Sequence, residues 1–151
     1  MHDLVVIALS APVLIGIYDK NGRLVEKYSS EEKSSEALPR LFKQLMSKYS
    51  FGNIVYANGP GSFMAIKLSY IFLKTFCLVK NIRLLAVDAF YFNGNAPIKA
   101  VGKLYFVKTS EAIITKVFEA PPESVFRLPS RLTLEDFKQE NTPFYGISAV
   151  G

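Results

Sequence analysis

Histidine and cysteine are almost absent from this 151-residue sequence, which has only His2 and Cys77, and tryptophan is missing altogether. With His2 beside the N-terminus, a Ser-His-Asp or Cys-His arrangement has no usable base. No Cys/His cluster exists to hold zinc, and Asp3, Asp19, Glu26 and Asp88 do not fall at metal-ligand spacing. Neither a catalytic set nor a metal site is therefore expected. A lone cysteine excludes an intramolecular disulfide and points to a reducing compartment. Cys77 lies inside an apolar helical stretch and reads as core filler rather than nucleophile. Basic residues are scattered rather than gathered into a block, and no solenoid-period repeat or low-complexity segment occurs. Runs of bilayer length are missing too. Leu4 to Tyr18 is broken by Pro12 and Gly16 and preceded by Asp3 rather than a positive region, and Phe63 to Val79 carries Lys67 and Lys74. The expectation is a cytoplasmic protein without membrane contact.

What is present is ample apolar material. Hydrophobic residues make up 50% of the chain and aromatics 13%, against 21% charged residues, which excludes a disordered chain. The formal charge of +5 would attract RNA, DNA or an acidic protein, but scattered lysines also suit an ordinary solvated surface.

Leu4 to Leu9 is a continuous, partly β-branched apolar run, as expected of a strand buried on both faces. Val13 to Tyr18 and Leu24 to Tyr28 follow as strands, joined by a hairpin at Asp19-Lys20-Asn21-Gly22. After the polar stretch Ser29 to Ser35, the spacing of Ala37, Leu38, Leu41, Phe42, Leu45, Met46 and Tyr49 predicts a helix. Pro39 fits if that helix begins near Glu36, and Phe51-Gly52 would end it. Asn53 to Ala57 reads as a fourth strand, Asn58-Gly59-Pro60-Gly61 as a turn, and Ser62 as the cap of a helix from Phe63 to about Val79. Arg83 to Val87 is a fifth strand. This order is the layout of a ribonuclease-H-like half-domain with a mixed five-stranded sheet and two helices. Asn93 to Pro97 has loop composition and marks a boundary, giving a lobe over 1–95 and a small, reduced second lobe over 96–151. Ile98 to Val101, Lys103 to Lys108 and Ala112 to Phe118 read as strands of a second sheet, and Leu134 to Lys138 as one or two helical turns. The fold class is α/β.

Gly59-Pro60-Gly61-Ser62-Phe63 is the sharpest local feature. A glycine-rich turn between strand and helix can aim backbone N–H groups at a phosphate, so Gly59, Gly61 and Ser62 form a candidate phosphate-binding turn. It is equally a tight turn capped by Ser62, and it lacks the Gly-Lys-Ser/Thr ending of a P-loop.

The stretch Asn53 to Phe63 resembles the signature of the TsaB (YeaZ-like) family, bacterial subunits of tRNA threonylcarbamoyladenosine biosynthesis with an actin-like or sugar-kinase-like fold. Ser10, the Asn21-Gly22 hairpin, the Leu38-Pro39 helix and Leu85-Ala86-Val87 also match, so the resemblance covers roughly residues 3 to 95. It departs where Ala8-Leu9-Ser10 replaces Asp-Thr-Ser, where Met64-Ala65 replaces Thr-Gly and where Lys67 replaces arginine. Ala8 removes the carboxylate that helps hold nucleotide and metal in the wider superfamily.

The resemblance implies a non-catalytic scaffold that activates a TsaD-type transferase acting on adenosine 37 of tRNA. By the same resemblance a TsaE-type ATPase joins the pair and tRNA is met through the complex, while the free chain is either a monomer or a homodimer through the same surface. No cofactor is expected on the chain alone, ATP and metal belonging to partner subunits. The implied surface is the two lobe-one helices. On the second, Phe63, Lys67, Tyr70, Lys74 and Cys77 line one side, while Ala65, Leu68, Phe72 and Phe76 should face the sheet. The expected partner-binding residues are Leu38, Phe42 and Leu45 with Phe63, Lys67, Tyr70 and Lys74. Two other readings remain. One is a minimal nucleotide-binding or ATP-hydrolysing enzyme using the Gly59 to Ser62 turn, with Asp88 for magnesium. The other is direct tRNA contact through the positive charge.

Overall fold

The computed structural model describes residues 1–146; the final five positions of the expected second lobe lie outside the described residues. Strands β1 (His2–Ile7), β2 (Val13–Tyr18) and β3 (Leu24–Ser30) form an antiparallel meander, and β4 (Phe51–Ala57) and β5 (Arg83–Val87) add in parallel on the other side of β1. The sheet order is β3-β2-β1-β4-β5, so the most apolar strand is the central one. Helix α1 (Ser34–Met46) crosses from β3 to β4, and α2 (Phe63–Lys80) from β4 to β5. The mixed sheet with two helices is the expected α/β architecture.

Alternation along β1 sorts the core into two layers. Leu4, Val6 and Ala8 join Leu38, Phe42 and Leu45 of α1 and Leu73 and Cys77 of α2 in one cluster. Val5, Ile7 and Leu9 point the other way, towards Phe90, Phe106, Leu132 and Phe137. Both helices thus cover one face. The opposite face is covered by a three-stranded antiparallel sheet, β6 (Ile98–Val101), β7 (Leu104–Lys108) and β8 (Ile113–Val117), and by the chain that follows it.

That following chain returns to the first sheet. Leu132 N–H donates to the Gly22 carbonyl at 2.7 Å, beside the isolated Arg23–Arg131 bridge, and Tyr18 Oη donates to the Pro129 carbonyl at 2.6 Å. After a short 3-10 turn at Leu134–Asp136, Lys138 and Ala86 exchange N–H···O bonds of 2.8 and 2.9 Å on the free side of β5. Phe144 N–H then reaches the Asn58 carbonyl at 2.8 Å. The segment therefore straps the sheet from its β3 edge to its β5 edge.

Several boundaries differ from the sequence expectation. Helix α1 begins at Ser34, because the Lys33 carbonyl accepts from Glu36 and Ala37 N–H at 2.9 and 2.8 Å, so Pro39 lies inside the helix. Its missing N–H leaves the Ser35 carbonyl without that intrahelical bond. Phe51-Gly52 opens β4 instead of merely ending α1, since Phe51 pairs with His2. Strand β3 runs on to Ser30, a stretch that polar composition had marked as loop. A 3-10 helix at Ala89–Phe92, capped by Asp88, has no counterpart in the sequence reading. Among the described residues, no helix is long and apolar enough to cross a membrane.

Candidate interaction face and inter-sheet cleft

Helix α2 starts where Ser62, in extended conformation, turns its hydroxyl to accept the Ala65 N–H at 3.5 Å. Its sheet-facing row is Ile66, Ser69, Leu73 and Cys77. Cys77 is 4% exposed, and burial pushes its thiol up to about 11. This corrects the expected orientation, which put Cys77 on the outward side and Leu68 against the sheet. Leu68 is instead exposed, and with Met64, Ile71, Leu78 and Val79 it forms the open side; Leu78 and Val79 are 72% and 75% exposed. The helix is apolar nearly all round, so polarity gave no reliable guide to its orientation.

The residues expected at the partner surface are distributed as follows. Leu38, Phe42 and Leu45 are buried on the inner side of α1. The Phe42 ring meets Phe72 and Phe76 edge-on at 5.1 and 5.0 Å, which fastens α1 to α2. Lys67 is exposed, whereas Phe63, Tyr70 and Lys74 are half-buried. Phe63 packs on Tyr145 at 4.4 Å between ring centres, and Tyr70 stacks on Tyr56 at 6.2 Å. The Tyr56 hydroxyl donates to the Asn141 carbonyl. The returning strap, which the sequence did not reveal, thus lies along the Phe63–Tyr70 side and leaves the Leu68–Ile71 side bare.

Beside that bare side, Pro39, Leu68, Ile71, Phe72, Thr75 and Val79 line an open groove of about 480 Å³ between the two helices. It continues past Ser34 and Ser35 into a second hollow of about 520 Å³ that ends at Ala8 and Ser10. Pro39 helps to shape the groove because its ring stands on the outer side of α1. The lining is mostly apolar, with Glu31, Glu32 and Lys33 at the far rim. A hydrophobic floor with a charged rim is the anatomy of a protein-docking surface.

The glycine-rich turn is engaged within the fold. Gly59 has φ +121°, and the Phe144 carbonyl fills the place a Cβ would need. The Gly59 carbonyl accepts Ala89 N–H at 2.8 Å, and Ser62 N–H donates to the Leu9 carbonyl at 3.2 Å. Gly61 lies against Leu9, 3.1 Å from its Cβ to a side chain placed there. Asp88 is likewise occupied, with Oδ1 accepting Phe90 N–H at 3.1 Å and Oδ2 accepting the Lys108 ammonium at 2.6 Å. Among the described residues, no group of three or more His, Cys, Asp or Glu is placed to hold a metal ion.

No family model and no curated protein matches the chain. Solved structures do. YeaZ from Pseudomonas aeruginosa superposes with a TM-score of 0.54 at 13% identity, over 82% of this chain and 67% of that one. An uncharacterized protein described as similar to the peptidase YeaZ from Pseudomonas aeruginosa superposes with a TM-score of 0.56 at 13% identity, over 88% and 69%. At such identity the likeness speaks of backbone architecture alone. With the strand order and the two helices on one face, it makes this a YeaZ-like, actin/ribonuclease-H-like α/β fold.

Proposed function

We propose that this chain is a TsaB-type, non-catalytic subunit that docks a TsaD-type transferase on its α1–α2 face and supports threonylcarbamoylation of tRNA. The carrying observation is the apolar groove beside Leu68, Ile71 and Val79, exposed on a helix whose opposite side is fully packed. A contiguous apolar surface of this kind marks an interaction site. The YeaZ-like fold supports the assignment of that role. In this reading Leu38, Phe42 and Leu45 hold the two helices together from inside, and Met64, Leu68, Ile71 and Lys67 meet the partner. ATP, metal and the TsaE-type ATPase enter with the assembled complex, and tRNA is met through it. The same face is where two copies of the free chain would associate. Engagement of Asp88 by Lys108 weighs against the rival nucleotide-hydrolysing reading, which needs that carboxylate for magnesium.

Size-exclusion chromatography with light scattering tests the proposal, using the chain alone and mixed with the TsaD-type subunit of the same organism. A heterodimer peak that is lost in Ile71→Glu and kept in Lys99→Met is expected. Independent elution of the two wild-type proteins at micromolar concentration, with and without ATP and the ATPase subunit, would overturn it.

A further inference from the structure

Each of the two sheets has two edges, and three of the four are covered or interrupted. On the β5 edge, Ala86 exchanges backbone bonds with Lys138. On the β3 edge, Leu24 N–H donates to the Ser130 carbonyl at 3.3 Å, Arg23 bridges Arg131, and the pairing with β2 shifts register at Ile17 and Tyr18. Strand β6 has four residues, and its pairing with β7 slips between Lys99 and Val101. Strand β8 differs. Its five residues pair with β7 in unbroken register, it holds no proline, and among the described residues nothing pairs with its outer side. Every residue from Ile114 to Val117 is exposed, Ile114 at 47% and Val117 at 60%. A regular, open, β-branched edge of this kind is one that natural sheets ordinarily blunt.

The backbone directions along β8 are fixed by its ends. Phe118 N–H donates to the Lys103 carbonyl at 2.9 Å, and the Ala112 carbonyl accepts Thr109 N–H at 2.8 Å. Successive residues of an antiparallel strand turn their backbone groups to opposite sides. Ile114 and Lys116 therefore also face β7, and the N–H and C=O groups of Ile113, Thr115 and Val117 point outward. Thr115 is the middle residue of β8. A twofold axis through it sets a second β8 antiparallel to the first with the whole strand matched: Thr115 opposite Thr115, Ile113 opposite Val117, Ile114 opposite Lys116. Any other centre leaves part of the strand unpaired. The outward groups of Ile113, Thr115 and Val117 then meet as hydrogen-bonded pairs.

The side chains agree with that register. Ile113 and Val117 make an apolar β-branched pair and Thr115 a Thr–Thr pair, both favourable across strands. Lys116, the one charge in the strand, meets aliphatic Ile114 rather than another cation, and its ammonium lies 6.0 Å from the centre of its own Phe118 ring. Just beyond the strand Glu111 opposes Glu119, where Lys103 already holds Glu119 at 2.8 Å. We infer that β8 is a self-pairing edge, at which two copies of this chain join into one continuous six-stranded sheet. The occupant is a second copy because the strand is its own complement. One strand per copy is a small contact beside the roughly 1,200 Å² of a stable interface, so the dimer is weak, reversible and favoured by high protein concentration. The edge belongs to the second sheet, on the opposite side of the first sheet from α1 and α2, and is independent of docking on those helices.

The test is sedimentation equilibrium of the full chain from about 10 μM to about 1 mM, with ¹⁵N-resolved amide exchange at both ends of that range. A monomer–dimer equilibrium is expected. Exchange at Ile113, Thr115 and Val117 should slow severalfold at the high concentration, while Ile114 and Lys116, already bonded to β7, stay unchanged. Thr115→Lys sets like charges opposite each other at the axis without touching a β7 bond, and should return the chain to monomer. Thr115→Val keeps a β-branched pair there and should keep the dimer. Thr115 is exposed, so both variants should fold, as the unperturbed remainder of the spectrum would verify. Ile71→Glu should leave this dimer intact, and Thr115→Lys should leave binding of the TsaD-type subunit intact, which separates the two surfaces. The inference is overturned if the chain stays monomeric throughout, or if a dimer survives Thr115→Lys or is lost in Ile71→Glu. Slowing of the three amides only when the TsaD-type subunit is added would give the edge to a different chain and equally overturn self-pairing.

Discussion

The Phe144 carbonyl sits over Gly59 where any side chain would have to go, while the Phe144 N–H donates to Asn58 at 2.8 Å. A methyl group at residue 59 would meet that carbonyl and would also have to adopt φ +121°, which L-residues rarely do. Gly59→Ala should therefore destabilise by about 3 kcal/mol or more, read as a lower urea midpoint. If the strap instead releases locally, the loss would be small and amide exchange at residues 138–144 would accelerate.

Phe42 and Ile71 both sit on the helical layer and should behave oppositely. Phe42 is 1% exposed and packed between α1 and α2, so Phe42→Ala should lose about 3–5 kcal/mol. Ile71 is 51% exposed, and Ile71→Ala should stay within about 0.5 kcal/mol in urea unfolding. Any effect of Ile71→Ala should appear only in partner binding. A large stability loss at Ile71 would mean that α2 is rotated relative to the orientation described.

Glu26 offers a pH-dependent test. It accepts from the Lys48 ammonium at 2.7 Å and the Tyr28 hydroxyl at 2.5 Å, and from Tyr49, bonds that hold its carboxyl down at about 2. A depressed folded pKa stabilises the fold above the unfolded value, near about 4.3, and this contribution fades as pH falls through the folded value. Wild type should therefore be more stable than Glu26→Gln at neutral pH. The gap should close between about pH 4.3 and about pH 2, measured as paired thermal midpoints. Since the site is open to solvent, a modest gap is expected. A gap that stays constant down to pH 2 would refute the role of this carboxylate.

Cys77 should resist a water-soluble thiol reagent in the native protein at neutral pH. Burial both shields it and pushes its thiol up to about 11, leaving very little thiolate. In urea above the unfolding midpoint it should react like a free cysteine. Rapid labelling of the folded chain would show that α2 does not hold Cys77 inside.

The elements of the first sheet were legible because local chemistry announces them. Asn21-Gly22 marks a hairpin, Ser62 caps α2, and the run Leu4 to Leu9 that carries β1 is apolar without interruption, as burial on both faces requires. The orientation of α2 was not legible, because Leu68 and Leu73 look alike in sequence and only the packing of α1 and the strap tells them apart. The same holds for Phe63 and Tyr70, whose neighbours Tyr145 and Tyr56 are distant in sequence or on another element.

The strap has a consequence for biosynthesis. Chains emerge from the ribosome N-terminus first, so β1 to β5 can pair long before residues 127–144 are available. Until then the outer side of β5 presents unpaired backbone groups at Ala86, and Leu132 and Phe137 are missing from the core layer around Val5 and Ile7. An exposed strand edge beside uncovered apolar surface is a template for wrong association. The nascent first sheet thus passes through a vulnerable interval whose length is set by how fast the β6–β8 segment is translated.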